Sequence, residues 1–181
     1  TVGVKKNVIP VSIFPHSVAH YFAKQPIRRL SDFKGKKMRV NATPAERERM
    51  ARLGGTAVPM PLGEVVPALQ RGMIDGTMSG TVVYVVFKFN QVAKTLTVTN
   101  DTLILSAGLV SKVWLNKLPA DLQKIVIEEG NKLQARTTAF SDTSEMAMIK
   151  RWKSEGGELV TLAAADEKEL LAKPKSVGRP E

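Results

Sequence analysis

Residues 53–80 read LGGTAVPMPLGEVVPALQRGMIDGTMSG, and the punctuation of this stretch decides the fold class. Gly54 and Gly55 close what precedes it. Residues 56–59 form a short extended run, and Pro59 and Pro61 stiffen the turn that follows. Gly63 and Glu64 open a helix that runs through Gln70. Pro67 fits there only in the first turn, where its missing N–H costs least. Gly72 serves as the C′ residue. Residues 73–80 make the next strand, with Asp75-Gly76 sharpening its exit. A helix this short depends on tertiary packing rather than on its own propensity.

Working upstream, residues 38–41 form a short strand, buried on both faces if it joins a parallel sheet. Thr43 then stands as N-cap, Pro44 as N1 and Glu46 as N3, which together make a capping box. This helix runs to Leu53. Met50 and Leu53 face the sheet, while Glu46, Arg47 and Arg49 face water. Strand, helix, strand, helix, strand over residues 38–80 is the alternation of an α/β protein.

The remaining chain fills in around that core. Residues 8–14 read as a strand despite Pro10. Residues 15–25 read as a loop or irregular helix. Residues 82–89 (VVYVVFKF) suit a buried strand or a helix equally. Residues 95–99 and 102–114 are β-leaning. Pro119 opens the longest helical pattern, with Leu122, Val126, Leu133, Phe140, Ala147 and Trp152 as an apolar stripe. Unbroken to Glu155 it holds about 37 residues and runs roughly 55 Å. Strict heptads fail between Gly130 and Thr138, so a coiled coil is disfavoured. A strand over 158–162, a helix over 165–172 and a frayed stretch over 173–181 complete the reading.

Composition sets limits. The 181 residues carry a formal net charge of +10 and no cysteine. That length holds a substantial core, and the lack of cysteine removes disulfide and thiolate chemistry. No apolar run is long enough to span a bilayer. Seven basic residues fall between Lys24 and Arg39, most of them flanking the turn at 32–37. Regularly interleaved aromatics are missing there, and no zinc-finger, RNA-recognition or helix-turn-helix signature appears. No nucleic-acid partner is therefore expected.

Enzyme templates fail as well. There is no Gly-x-Ser-x-Gly elbow, P-loop or dinucleotide fingerprint, so no catalytic residue and no cofactor are expected. Asp75 and Glu64 suit structural roles, in a turn and at a helix start. His16 and His20 lie at i, i+4 and could share a helix face, but no third metal ligand is near. They read as ordinary polar groups, with contact to a ligand at a cleft edge left open. Arg39 differs, because it sits inside an otherwise apolar strand, where a guanidinium must be paired or face a cleft. Two readings stand: a structural ion pair, or a fork that clamps a ligand carboxylate. The C-terminal ends of parallel strands face one crevice. Arg39, Asn41, Thr43 and Ser79 all lie near such ends and can converge.

Three segments carry a resemblance. PIRRLSDFKGKKMRV at 26–40, LGGTAVPMPLGEVVPALQRGMIDG at 53–76 and KLPADLQKIVIEEG at 117–130 occur in this order. Together they resemble the DctP-type solute-binding proteins of tripartite ATP-independent periplasmic (TRAP) transporters. The resemblance implies an α/β, periplasmic-binding-protein-like (type II) lobe with a mostly parallel sheet and a long C-terminal brace helix. It favours a helix for residues 82–89. It divides the chain into a remnant of lobe one and crossover (1–27), lobe two (28–104), a crossover strand and long connecting helix (105–157) and a tail (158–181). Lobe one would then be expected to be largely missing, and a signal peptide is not expected within these residues.

The implied function is periplasmic capture of a small organic acid for a TRAP permease, without enzymatic chemistry. Arg39 matches the family's carboxylate-binding arginine. Ser79 falls where many members carry Asn, and Leu62 where an aromatic often packs on the ligand. Both departures imply a different acid. No Arg occurs at 18–20, where some relatives place a second one, and His16 or His20 could substitute. An exposed apolar stripe in such a fragment would favour homo-oligomers. The alternative function is a basic α/β adaptor for an acidic partner or nucleic acid.

Overall fold

The computed structural model describes residues 7–172, so the reading of 173–181 as frayed lies outside the described residues. Six strands form one sheet in the order β3-β2-β4-β1-β5-β6. They are β1 (Val8–Ala23), β2 (Lys37–Val40), β3 (Thr56–Pro59), β4 (Gly76–Gly80), β5 (Thr95–Ser111) and β6 (Glu158–Thr161). Helices are α1 (Pro44–Arg52), α2 (Val65–Gln70), α3 (Thr81–Val86), α4 (Lys112–Leu115), α5 (Ala120–Ser154) and α6 (Ala164–Ala172). β2 pairs in parallel with both β3 and β4, and β5 with β6, while β1 runs antiparallel to β4.

The chain divides into two compact units. The first comprises Val18–Thr102 with residues 147–172, and the second comprises residues 7–17 with Leu103–Met146. β1, β5 and α5 each continue from one unit into the other.

In the first unit the three strands expected from residues 38–80 do share one sheet. Strand alternation divides their side chains between two cores. Tyr21, Met38, Ala57 and Met78 pack on one face with Phe33, Met50 and Leu53. Phe22 and Val58 pack on the other with Val65, Leu69, Tyr84, Phe89, Leu96 and Trp152. Phe22 meets the Tyr84, Phe89 and Trp152 rings at centroid distances of 5.7, 5.1 and 6.2 Å. Ring pairs of this kind add about 0.5–1.5 kcal/mol each beyond their burial. The expected capping box of α1 is half formed: Thr43 Oγ1 accepts from the Glu46 N–H at 3.3 Å and Pro44 lies in the first turn, but the Glu46 carboxylate is bonded to Asn41. Gly72, at φ 71°, turns the chain out of α2.

Several expectations need correction. Residues 15–25 are not a loop or irregular helix, because β1 is extended through Ala23. Ala19, His20, Tyr21, Phe22 and Ala23 are all buried, so both faces of the strand are covered and the sequence shows no alternation. Asp75-Gly76 marks the entry to β4 rather than its exit, since the strand begins at Gly76. Residues 82–89, left open between strand and helix, begin as helix α3 over Thr81–Val86, the choice that the resemblance favoured. Arg49 is only partly turned to water: its Nε donates to the Tyr21 hydroxyl at 2.7 Å and it ion-pairs with Asp101.

In the second unit α5 lies along β1. Ser141 Oγ donates to the Pro15 carbonyl at 2.9 Å, Ser17 Oγ to Glu145 Oε2 at 2.8 Å, and the Ile13 N–H to Gln134 Oε1 at 3.3 Å. Gly130 allows a close approach, since a Cβ there would stand 2.5 Å from the Val11 Cβ. The helix therefore runs unbroken through a residue of poor helix propensity, held by its contact with the strand. Its apolar stripe is not uniformly buried. Trp152 is fully buried in the first unit, whereas Leu122, Leu133 and Phe140 are exposed.

Candidate functional site

The register of the first unit places the polar candidates on one face of the sheet. Arg39 is opposite Val58 on β3 and Thr77 on β4, and Thr77 is opposite Phe22 on β1. Val58 and Phe22 belong to the core that contains Tyr84, so Arg39 and Thr77 share that face. Two residues further along, Ser79 is paired with His20, and the period of two returns both to the same face. Asn41 stands two residues beyond Arg39, just past the end of β2. Arg39, Asn41, Ser79 and His20 are thus gathered toward the C-terminal ends of parallel β2 and β4, where open α/β sheets hold ligands.

Arg39 is 5% exposed. Its Nε donates to the Met60 carbonyl at 3.0 Å and its Nη2 to Asn41 Oδ1 at 3.0 Å. Both acceptors are neutral, and among the described residues Arg39 makes no ion pair. Burial pushes its pKa down, partly offset by the field of Glu46 and by Tyr84. A guanidinium has five N–H donors. Two are used here, which leaves a pair-forming edge on Nη1 and Nη2. The structural ion pair raised as an alternative from sequence is not formed among the described residues.

Asn41 acts as a bridge. Its Nδ2 donates to Glu46 Oε1 at 2.9 Å and its backbone N–H to Glu46 Oε2 at 2.5 Å. Thr43 in turn holds the Glu46 backbone at the start of α1. The Thr43 cap therefore does more than start a helix. It aims Glu46 at Asn41, and Asn41 at one arm of Arg39. Sequence reading placed Glu46 on the solvent face, and the capping signal gave no hint of this second role.

The other candidates are placed differently. Leu62 is half-buried and packs onto the Val65 and Tyr84 core, so it is partly consumed by packing. Ser79 is half-buried and His20 is buried. Tyr84, which sequence reading did not single out, lies beneath them: its hydroxyl donates to the His20 carbonyl at 2.6 Å and lies 3.3 Å from the Thr77 carbonyl. His16 lies on the 7–17 stretch of the second unit, and its side chain is outside those described. No cluster of three metal-ligating side chains occurs among the described residues. Nor is any of their helices long and apolar enough to cross a membrane.

A buried arginine with an open edge, at the end of parallel strands, fits an anion-binding α/β lobe. Comparison with known proteins places the fold in a family. Residues 5–179 match the DctP family, described as bacterial extracellular solute-binding protein, family 7, and the chain belongs to this family. It is 30% identical over 170 residues to the C4-dicarboxylate-binding periplasmic protein DctP of Rhodobacter capsulatus, covering 92% of this chain and 51% of that one. A solute-binding protein of Sulfitobacter sp. (strain NAS-14.1) is 34% identical over 113 residues, 62% of this chain and 34% of its own. A TRAP periplasmic solute-binding protein of Pseudomonas putida F1, solved with bound D-glucuronate, superposes with a TM-score of 0.85 at 28% identity, over 92% of this chain and 54% of that one. The chain thus spans about half the length, or less, of these relatives.

Proposed function

We infer that this chain is the ligand-clamping C-terminal part of a periplasmic receptor that captures a small organic acid for a TRAP-type permease. The observation that carries the reading is Arg39: buried, bonded only to neutral acceptors among the described residues, and with an unused edge suited to a carboxylate. Arg39 takes the carboxylate through two parallel charge-assisted hydrogen bonds. Asn41 fixes the guanidinium in place, and Glu46 and Thr43 fix Asn41. Ser79 and His20 supply polar contacts beside it, and Leu62 supplies an apolar one. Ser79 is a short handle, which favours acids with a hydroxyl-bearing or bulky body. Sugar acids such as D-glucuronate or L-fuconate, found in relatives solved at 28% identity, are the first to test, with C4-dicarboxylates beside them. Capture needs no covalent step and no ATP. In the full-length receptor it proceeds by closure around the acid.

Titration calorimetry of the full-length receptor against that panel tests the reading. Arg39→Lys keeps the charge but loses the planar fork, and should weaken binding of the cognate acid. Arg39→Ala should cost more, about 2–5 kcal/mol for a desolvated pair. Unchanged affinity in folded Arg39→Ala would overturn the assignment.

A further inference from the structure

The end of the first unit's sheet away from Arg39 carries a different feature. Lys37 begins β2 opposite Thr56 at the start of β3, and one residue further along Met38 is opposite Gly76 at the start of β4, itself opposite Ala23 at the end of β1. Backbone hydrogen bonds draw the flanking loops to the same rim: Lys24 N–H to the Asp75 carbonyl at 2.9 Å, Asp75 N–H to the Lys37 carbonyl at 2.7 Å, and Gly35 N–H to the Gly54 carbonyl at 3.0 Å. Lys24, Arg28, Arg29, Lys34, Lys36 and Lys37 are thereby gathered at one end of the unit.

The local carboxylates do little to neutralise them. Asp32 Oδ2 accepts from the backbone N–H groups of Arg28 and Arg29 at 2.8 and 3.0 Å, and Asp75 Oδ2 from that of Lys37 at 2.8 Å. Arg28 alone has an ion-pair partner, Glu158 at 3.6 Å. Among the described residues the lysines and Arg29 form none. Met73, two residues before Asp75, is 57% exposed on the same rim.

We propose that this rim is a docking surface for an anionic lipid bilayer. The inference is independent of the Arg39 reading. Lysines dominate the patch, and they are mobile point charges that suit a diffuse field of headgroup phosphates better than a fixed fork site. An exposed apolar side chain among them is what an interfacial contact adds to plain electrostatics. Aromatic platforms for bases are missing, which disfavours single-stranded nucleic acid.

The test is co-sedimentation of the chain with phosphatidylcholine vesicles, with and without phosphatidylglycerol at roughly one lipid in three. Binding to the anionic vesicles should be at least about tenfold tighter, and should be lost at about 1 M salt, where the screening length falls to about 3 Å. The Lys24→Gln/Lys34→Gln/Lys36→Gln/Lys37→Gln variant should lose at least about tenfold. If that variant fails to fold, Lys24→Gln/Lys34→Gln, both outside the strands, should still lose at least about threefold. Equal binding to neutral and anionic vesicles, or undiminished binding by the folded variants, would overturn the proposal. So would retention by soluble polyglutamate with none by vesicles, which would assign the rim to an acidic protein.

Discussion

Arg49 on α1 reaches across to Asp101 on β5, and the two side chains form an ion pair in which the aspartate side chain is 5% exposed and the arginine 24%. The pair is elaborately held. Arg49 Nε also donates to the Tyr21 hydroxyl at 2.7 Å, and its guanidinium carbon lies 5.9 Å from the Tyr21 ring centre. Thr99 Oγ1 donates to Asp101 Oδ1 at 2.6 Å. Asn100, between Thr99 and Asp101, has a φ of 50°, a left-handed conformation that Asn tolerates better than most residues. One cluster thus joins α1, β1 and β5, which are far apart in sequence.

Removing one partner from this cluster should cost more than a surface pair would. Asp101→Asn leaves Arg49 half-buried without its counter-charge. Because the arginine keeps some contact with water, the expected loss is about 2–3 kcal/mol rather than the full value for a sealed pair. Arg49→Met with Asp101→Leu, which removes both charges, should lose less than Asp101→Asn alone. Urea denaturation of the three proteins checks the order. An exposed-pair loss, under about 1 kcal/mol for Asp101→Asn, would show that the cluster is solvated.

Whether such a feature can be read from sequence depends on the range of the interaction. Thr43, Pro44 and Glu46 announce α1 because capping is decided within four residues. Residues 38–80 show their alternation because each strand and helix follows the last at short range. β1 past Pro15 escaped because both its faces are covered, so Ala19 to Ala23 lack the alternation that marks a half-buried strand. Arg49 looked like one more solvent-facing charge, since nothing near it names Tyr21 or Asp101. Arg39 was legible for the opposite reason: a lone cation within Met38-Arg39-Val40 violates the local pattern. What its guanidinium meets, Met60 and Asn41, was not.

Gly130 sets two effects against each other. Ala in the middle of a helix is favoured over Gly by about 1 kcal/mol. Here, however, the added Cβ would stand 2.5 Å from the Val11 Cβ, and overpacking of this sort costs typically 1–3 kcal/mol. Gly130→Ala should therefore be neutral to destabilising by up to about 2 kcal/mol. In a Val11→Gly background, which removes that Cβ and leaves the Val11 carbonyl at 3.3 Å as the nearest atom, the same change should be clearly less costly than in the wild type. Thermal unfolding of the four proteins of the cycle reads the coupling. Strict additivity would mean that the helix and strand do not meet there.

The outer half of β5 leads to a prediction about surface chemistry. Leu103, Leu105 and Leu109 alternate along one side of the strand and are 56%, 61% and 58% exposed. Exposed apolar rows of this kind bind hydrophobic dyes and favour self-association. Replacing the three leucines with threonine keeps β propensity. It should lower dye fluorescence and concentration-dependent light scattering, while stability shifts by no more than about 0.5 kcal/mol per site. Unchanged scattering would show that this row is not the sticky surface of the isolated chain.

The chain has only two tyrosines, and burial raises the pKa of both above the ordinary 10.0. Tyr84 is raised well above it by desolvation, with the amides of Ser79 and Phe22 pulling slightly back. Tyr21 is raised by desolvation, opposed by the charge and hydrogen bond of Arg49. A folded-state pKa above the unfolded one means that the folded chain holds its proton while the unfolded chain gives it up. The tyrosine contribution is therefore fully present below pH 10.0 and is lost as pH climbs from there toward the folded values. Each tyrosine should remove about 1.4 kcal/mol of stability per pH unit once the unfolded chain has ionised. Denaturation midpoints should be insensitive to tyrosine ionisation from neutrality to about pH 9, then fall, with Tyr84→Phe reducing the slope. Tyrosinate absorbance should appear together with the loss of folded signal. If it appears while the chain is still folded, the Tyr84 hydroxyl is reached by water and is not sealed beneath His20 and Ser79.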